Sequence, residues 1–153
     1  MKLEMKLTKY QNSYANAPQF DILLIPGSFS SSELPLCASN FLTSQCLNPN
    51  LIAIMSIGSG ISHLIQAGIL HGTRAAAPKS LLPGLQQRYP ETLWQHSSWA
   101  RHDKVWSSNS AFSALDMMAT WMREYFWDKR EAVEFVLVTA GLGERDEYAH
   151  CDY

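Results

Sequence analysis

The clearest pattern of hydrophobic and polar positions lies between residues 51 and 70. Residues 51–57 form a continuous apolar run, residues 58–60 read Gly-Ser-Gly, and residues 61–70 repeat apolar positions at helical spacing. The apolar run predicts a strand buried on both faces, and the segment after the glycines predicts an amphipathic helix. A strand, a tight turn and a helix in this order are a common setting for a reactive group or a bound anion.

The rest of the chain predicts strands and helices in alternation, and therefore a single α/β domain (residues 1–153) with a mostly parallel sheet. The first strand alternates charged and apolar residues, which is typical of a half-buried edge strand. The first helix is expected to carry Pro35 in its first turn. Strands are predicted at residues 2–10, 20–25 (buried on both faces), 72–77, 92–97, 99–101 and 104–107, helices at residues 30–46, 61–70, 79–88, about 111–127 and 129–140, a hairpin turn at residues 102–103 and a loose charged tail at residues 144–153.

The predicted sheet also indicates where a ligand would bind. In a parallel sheet, ligands bind at the carboxyl ends of the strands. The loops at residues 26–30, 58–60 and 77–80 are therefore expected to converge on one edge of the sheet. The turn at residues 107–112 is a fourth candidate, and its serines can cap the helix that follows.

Composition and charge exclude several classes of function. The net charge is −2, so the chain lacks the basic surface typical of nucleic-acid binding. No apolar run reaches the roughly 18 residues of a membrane span, and the first ten residues contain no signal-peptide core. The three cysteines show no CxxC spacing, which favours reduced thiols in a cytoplasmic protein. The histidines show no metal-ligand spacing, so neither a metal nor a cofactor is predicted.

Four segments in order resemble the DJ-1/PfpI superfamily: FDILLIPGS, LIAIMSIGSG with LIQAGIL, HGTRAAAPKSLLPGLQQRYP and WARHDKVWSSNSAFSALDMM. They are most similar to the isonitrile-hydratase-like branch, in a form common among fungi, and cover residues 20–127. The resemblance implies a flavodoxin-like three-layer sandwich, related to class I glutamine amidotransferases. It also implies a homodimer.

The same resemblance implies that the usual catalytic groups are missing. Members of the family carry a cysteine on the strand-to-helix turn, and aligning the helix through its Ala-Gly pair places that position on Gly58. A shift of the alignment would instead make Ser56 the nucleophile, and hydrolysis by this serine is left as an option. A family position that is often His or Asn falls on Pro78. The acidic partner belongs to a first strand–helix unit, and this chain is expected to begin after that unit.

The remaining candidates are residues of the converging loops. Lys79 is the candidate cation or general acid, and Ser59 is its candidate catalytic partner at the turn. Phe112 is expected to narrow the pocket and favour an apolar ligand, whereas Asp116 is expected to make a structural hydrogen bond. The residues predicted to bind substrate are Gly27, Ser28, Gly58, Gly60, Ser110 and Phe112.

Two classes of function follow from these residues. The first is a repurposed enzyme of secondary metabolism that acts on a small apolar molecule by noncovalent proton transfer, dehydration, isomerisation or cyclisation. In that case the turn would stabilise developing negative charge through its backbone N–H groups. The second is a catalytically inactive binding module or partner subunit, as suggested by the loss of the family's catalytic groups.

Overall fold

A computed structural model describes residue 14 and the ranges 17–27 and 33–143. Its main sheet has the strand order β1-β2-β6-β5, and β3 pairs with β4 in a second, two-stranded sheet. The strands β1, β2 and β6 are parallel, β3 and β4 are parallel, and only β5 runs antiparallel, beside β6. The strands are β1 (Ile22–Ile25), β2 (Ala53–Ile57), β3 (Arg74–Ala76), β4 (Leu93–Gln95), β5 (Trp99–His102) and β6 (Val105–Ser108).

Helices cover both faces of the main sheet, so the predicted three-layer α/β architecture is confirmed. One face packs against α1 and α2 through a core that includes Leu42, Ile54 and Leu64. The opposite face packs against α4 through Met55, Trp106 and other apolar side chains. The helices are α1 (Leu36–Leu47), α2 (Ile61–Gln66), α3 (Leu82–Arg88), α4 (Ala111–Tyr125) and α5 (Arg130–Thr139).

Helix boundaries differ from the prediction at a proline, after which α1 begins, and near a glycine, before which α2 ends. Pro35 is the N-cap of α1, with extended ψ of 144°, rather than a residue of its first turn. The residue before a proline is disfavoured in the helical region, so the helix does not extend back through Leu34 toward residue 30. Helix α2 ends at Gln66 instead of continuing to residue 70, because Gly68 adopts a φ of 71° just beyond it. The hairpin between β5 and β6 turns at Asp103, whose φ is 54°, and at the next residue.

The prediction that β1 is buried on both faces is wrong. Leu23 and Ile25 join the core beneath α1, but Ile22 is 41% exposed and Leu24 is 48% exposed. These two side chains lie on the α4 side of the sheet, where the core contains residues of β2 and β6 but none of β1. Within the described part of the chain, β1 is an edge strand. The predicted strand at residues 2–10 and the tail at residues 144–153 lie outside the described residues.

Candidate functional site

The turn between β2 and α2 is a sharp elbow built around Gly58. This residue directly follows β2, is buried, and has a φ of 55°, a conformation that side-chain-bearing residues rarely adopt. A Cβ added there would meet open space, with no atom beyond its chain neighbours within 4 Å in the described residues. The strained position, where the resemblance places the nucleophile, is therefore occupied by a residue without a side chain.

Ser56, the alternative nucleophile, lies inside β2 rather than on the elbow. Its side chain is 0% exposed. It faces the interior two residues before Gly58, and its backbone pairs with Ile25 on one side and Ser107 on the other. In this arrangement the Ser56 hydroxyl has no path to a substrate at the edge of the sheet.

A second loop packs tightly against the elbow. A Cβ added to Gly60 would lie 2.5 Å from the carbonyl oxygen of Ile25 and 2.9 Å from that of Pro26. A Cβ on Gly27 would lie 3.0 Å from the hydroxyl oxygen of Ser59. The loop after β1 and the elbow after β2 therefore converge as predicted, and these glycines permit their contact. Helix α2 has only six residues, so the helix dipole at the elbow is weak.

Lys79 lies beside a separate cavity at the same edge of the sheet. The cavity has a volume of about 180 Å³, which is slightly more than the roughly 150 Å³ that holds one benzene molecule in an engineered protein core. Its walls combine an apolar side with several polar groups. They are formed by Ala77, Lys79, Leu82, Pro83, Gln95, His96, Ser97 and Asn109, and thus by no residue of the elbow.

Local hydrogen bonds explain how Lys79 reaches this cavity. The N–H of Ala76, at the end of β3, donates to the Ser107 hydroxyl at 2.8 Å, and both groups are buried. This bond fixes the end of β3 against β6. The carbonyl of Pro78 then accepts from the N–H groups of Leu81 and Leu82 at 2.9 and 3.1 Å, which starts α3 and leaves the exposed Lys79 at the cavity wall.

Asn109 holds the opposite wall. Its N–H donates to the carbonyl of Ser98 at 2.9 Å and its side-chain amide donates to that of Ser97 at 3.3 Å. Its Oδ1 accepts from the Ser113 hydroxyl at 2.8 Å. Sequence reasoning missed this residue although it named the turn that contains it. The available signal was its position as the first polar residue after a strand at the carboxyl edge.

The other predicted binding residues do not line the cavity. Ser110 is the N-cap of α4, and its hydroxyl oxygen accepts from the N–H of Ser113 at 3.2 Å. The ring of Phe112 is 87% exposed and points into solvent, so it narrows no described pocket. Ser28 lies outside the described residues. Asp116 accepts a 2.8 Å hydrogen bond from the Trp99 indole, the structural role expected for it.

Metal-binding clusters and membrane-spanning helices are both absent from the described residues. No group of three or more His, Cys, Asp or Glu side chains lies close enough there to hold a metal ion. No helix in the described ranges is long and apolar enough to cross a membrane. The expectations of no metal, no cofactor and no membrane partner remain predictions.

Comparison with known proteins places the fold. No family model and no curated protein sequence matches the chain. Solved structures do match. Drosophila melanogaster DJ-1beta has a TM-score of 0.68 at 16% identity, over 85% of this chain and 67% of that one. A ThiJ/PfpI family protein from Pseudomonas syringae has a TM-score of 0.63 at 16% identity, over 91% of this chain and 57% of that one. An AraC family transcriptional regulator from Pseudomonas putida has a TM-score of 0.66 at 22% identity, over 82% of this chain and 68% of that one. The chain thus has the flavodoxin-like fold of DJ-1/PfpI superfamily proteins.

Proposed function

We propose that this chain binds a small organic anion at the carboxyl edge of its sheet and converts it without a covalent intermediate. The observation that supports the proposal is the position of Lys79 at a small, partly apolar cavity beside an elbow that carries Gly58 in place of a nucleophile. Proton transfer, dehydration, isomerisation and cyclisation all fit such a site. The isonitrile-hydratase-like branch and a role in secondary metabolism belong to the same proposal.

The chemistry follows from the walls of the cavity. The Lys79 ammonium attracts a carboxylate or an enolate, and the amide of Asn109 and the ring of His96 offer hydrogen bonds that orient it. Ala77 and Leu82 form an apolar wall for the body of the ligand. Because the cavity is small, the bound part of the substrate is limited to about the size of one six-membered ring. Ser59, on the elbow at the same edge of the sheet, is the second polar residue assigned to this reaction in the proposal.

Binding of benzoate tests the assignment of Lys79. We expect Lys79→Met to weaken benzoate binding about two- to fivefold, since an ion pair of an exposed lysine contributes about 0.5–1 kcal/mol. Lys129→Met, on the exposed 3-10 turn after α4, is the matched control and should bind like the wild type. Titration calorimetry gives both constants. Equal affinity of the wild type and Lys79→Met would remove Lys79 from the site.

Mass spectrometry tests whether the reaction proceeds without a covalent intermediate. Incubation with a panel of small carboxylic and keto acids, followed by acid quenching and intact-mass analysis, should leave the protein mass unchanged while product forms. A stoichiometric adduct on the wild type would contradict the noncovalent mechanism. Proton NMR of the same mixtures reports turnover, and it should be lost in Lys79→Met but kept in Lys129→Met.

A second candidate is ligand binding without turnover, as a sensor or partner subunit. The similar Pseudomonas putida structure is that of a transcriptional regulator, and Gly58 supplies no nucleophile here. Exposed apolar side chains available to the homodimer expected from the resemblance include Ile22 and Leu24 on β1 and, separately, Phe135 on α5, which is 74% exposed. Benzoate binding with no conversion of any compound in the panel would favour this candidate, and sedimentation velocity would decide between monomer and dimer.

A further inference from the structure

Three buried serines lie together at the carboxyl ends of the two central strands. Ser56 on β2 and Ser107 and Ser108 on β6 are each 0% exposed. Ser108 donates to the carbonyls of Ser56 and Ser110 at 3.4 and 3.1 Å. Ser107 accepts from the Ala76 N–H. The Ser56 hydroxyl alone, among buried side-chain polar atoms of the described residues, has no hydrogen-bond partner.

Ser56 and Ser107 face each other across adjacent strands. Their Cα atoms are register partners in the parallel β2–β6 pair. Side chains of register partners stand on the same side of a sheet, about 4.8 Å apart. Both therefore point toward the α1 and α2 face, into the layer formed by Ile54 and Val105, which are also partners. Ser107 uses an oxygen lone pair for Ala76, and no described acceptor takes its own hydroxyl proton.

We infer that one buried water molecule binds between the Ser56 and Ser107 hydroxyls. A buried hydroxyl without a partner is costly, and no direct hydrogen bond joins the two hydroxyls in the described residues. A bridging water supplies the missing bonds. Buried waters make about three hydrogen bonds. Here the water accepts the Ser107 proton, and it donates to or accepts from the Ser56 hydroxyl.

This water would connect the elbow to the Lys79 cavity. Ser56 lies two residues before Gly58, and Ser107 holds Ala76, the neighbour of the cavity residue Ala77. The chain of contacts therefore runs from β2 through the water to β6 and on to the end of β3. Binding of the water depends on the hydroxyl groups alone and not on the proposed function.

A crystal structure of the full chain at about 1.5 Å tests the site directly, with Ser56→Ala as the comparison. We expect a solvent peak within about 3.2 Å of both hydroxyl oxygens in the wild type, which is the upper end of ordinary hydrogen-bond distances. The peak should be lost or displaced in Ser56→Ala. A wild-type structure with no solvent peak there, or with Ser56 bonded directly to a protein atom, overturns the inference.

Thermal unfolding gives an independent test, because the sign of the change in Tm tells a bound water from an unpaired hydroxyl. If the water is present, Ser56→Ala breaks a satisfied network and lowers Tm by about 2–4 °C, the shift for a change near 1 kcal/mol at this chain length. If the hydroxyl is dry and unpaired, its removal raises Tm instead. The effects of Ser56→Ala and Ser107→Thr should also be non-additive, because both act on one water. Additive effects, or a raised Tm, count against the site.

Discussion

The elbow and the Lys79 cavity lie at the same edge of the sheet but are built in different ways. At the elbow, contacts of the backbone determine the geometry: Gly60 meets the carbonyls of Ile25 and Pro26, and Gly58 takes a strained φ. At the cavity, side chains determine it: the Ser107 hydroxyl holds Ala76, and Asn109 holds the opposite wall. The backbone therefore sets the elbow, which carries no side chain at Gly58, whereas the cavity beside Lys79 is built from side chains.

The largest expected effect is on the free energy of unfolding, and it should differ between alanine variants of the two elbow glycines. Gly60→Ala forces a Cβ to 2.5 Å from a backbone carbonyl oxygen, which cannot move aside as a side chain would. We expect a loss of about 3 kcal/mol in the free energy of unfolding, at the upper end for overpacking. Gly58→Ala meets no close atom among the described residues but keeps a positive φ, so a loss of about 1–2 kcal/mol is expected. Urea unfolding of both variants measures the difference, and equal losses would mean that strain rather than contact governs the elbow.

A smaller effect should show whether the elbow and the cavity act separately. Gly58→Cys places a thiol at the strained position, where an added Cβ has no atom of the other described residues within 4 Å, its chain neighbours aside. We expect this thiol to react with iodoacetamide, because the position faces the carboxyl edge. Benzoate affinity should change less than about twofold, since Gly58 does not line the cavity. Peptide mapping and calorimetry give the two results. A tenfold change in benzoate affinity would show that the elbow and the cavity form one continuous site.

The smallest effect concerns a pair far from both regions, between α4 and α5. Arg123 binds Glu134 through two hydrogen bonds of 2.7 and 3.0 Å, and these bonds lower the pKa of the glutamate. A lowered folded-state pKa stabilises the fold above the ordinary glutamate value of about 4.3, and the contribution declines as pH falls through the folded-state pKa. The small Tm advantage of the wild type over Glu134→Gln should therefore vanish on acidification. Benzoate affinity at pH 7 should be equal in both, which makes this variant a reference for the site.

Sequence reasoning predicted the fold well because its signals are local. Alternating strands and helices, the Gly-rich elbow and a serine cap within residues 107–110 all depend on residues close together in the chain, and the structure confirms them, with Ser110 as the cap. The site was predicted less well. The convergence of the loops at residues 26–30 and 58–60 was predicted, but Asn109, Gln95 and His96 were missed, because they meet Lys79 only when three separate strand ends come together.

The sequence by itself determined that this is an α/β domain with a glycine elbow, since hydrophobic period and backbone preference are encoded over a few residues. Only the tertiary structure decided which surfaces are covered. It exposed Ile22 and Leu24 on the uncovered side of β1, and it turned Phe112 into solvent. It also buried the Ser56 hydroxyl without a hydrogen-bond partner among the described residues. Burial depends on which distant elements pack together, and no local pattern in the chain specifies that packing.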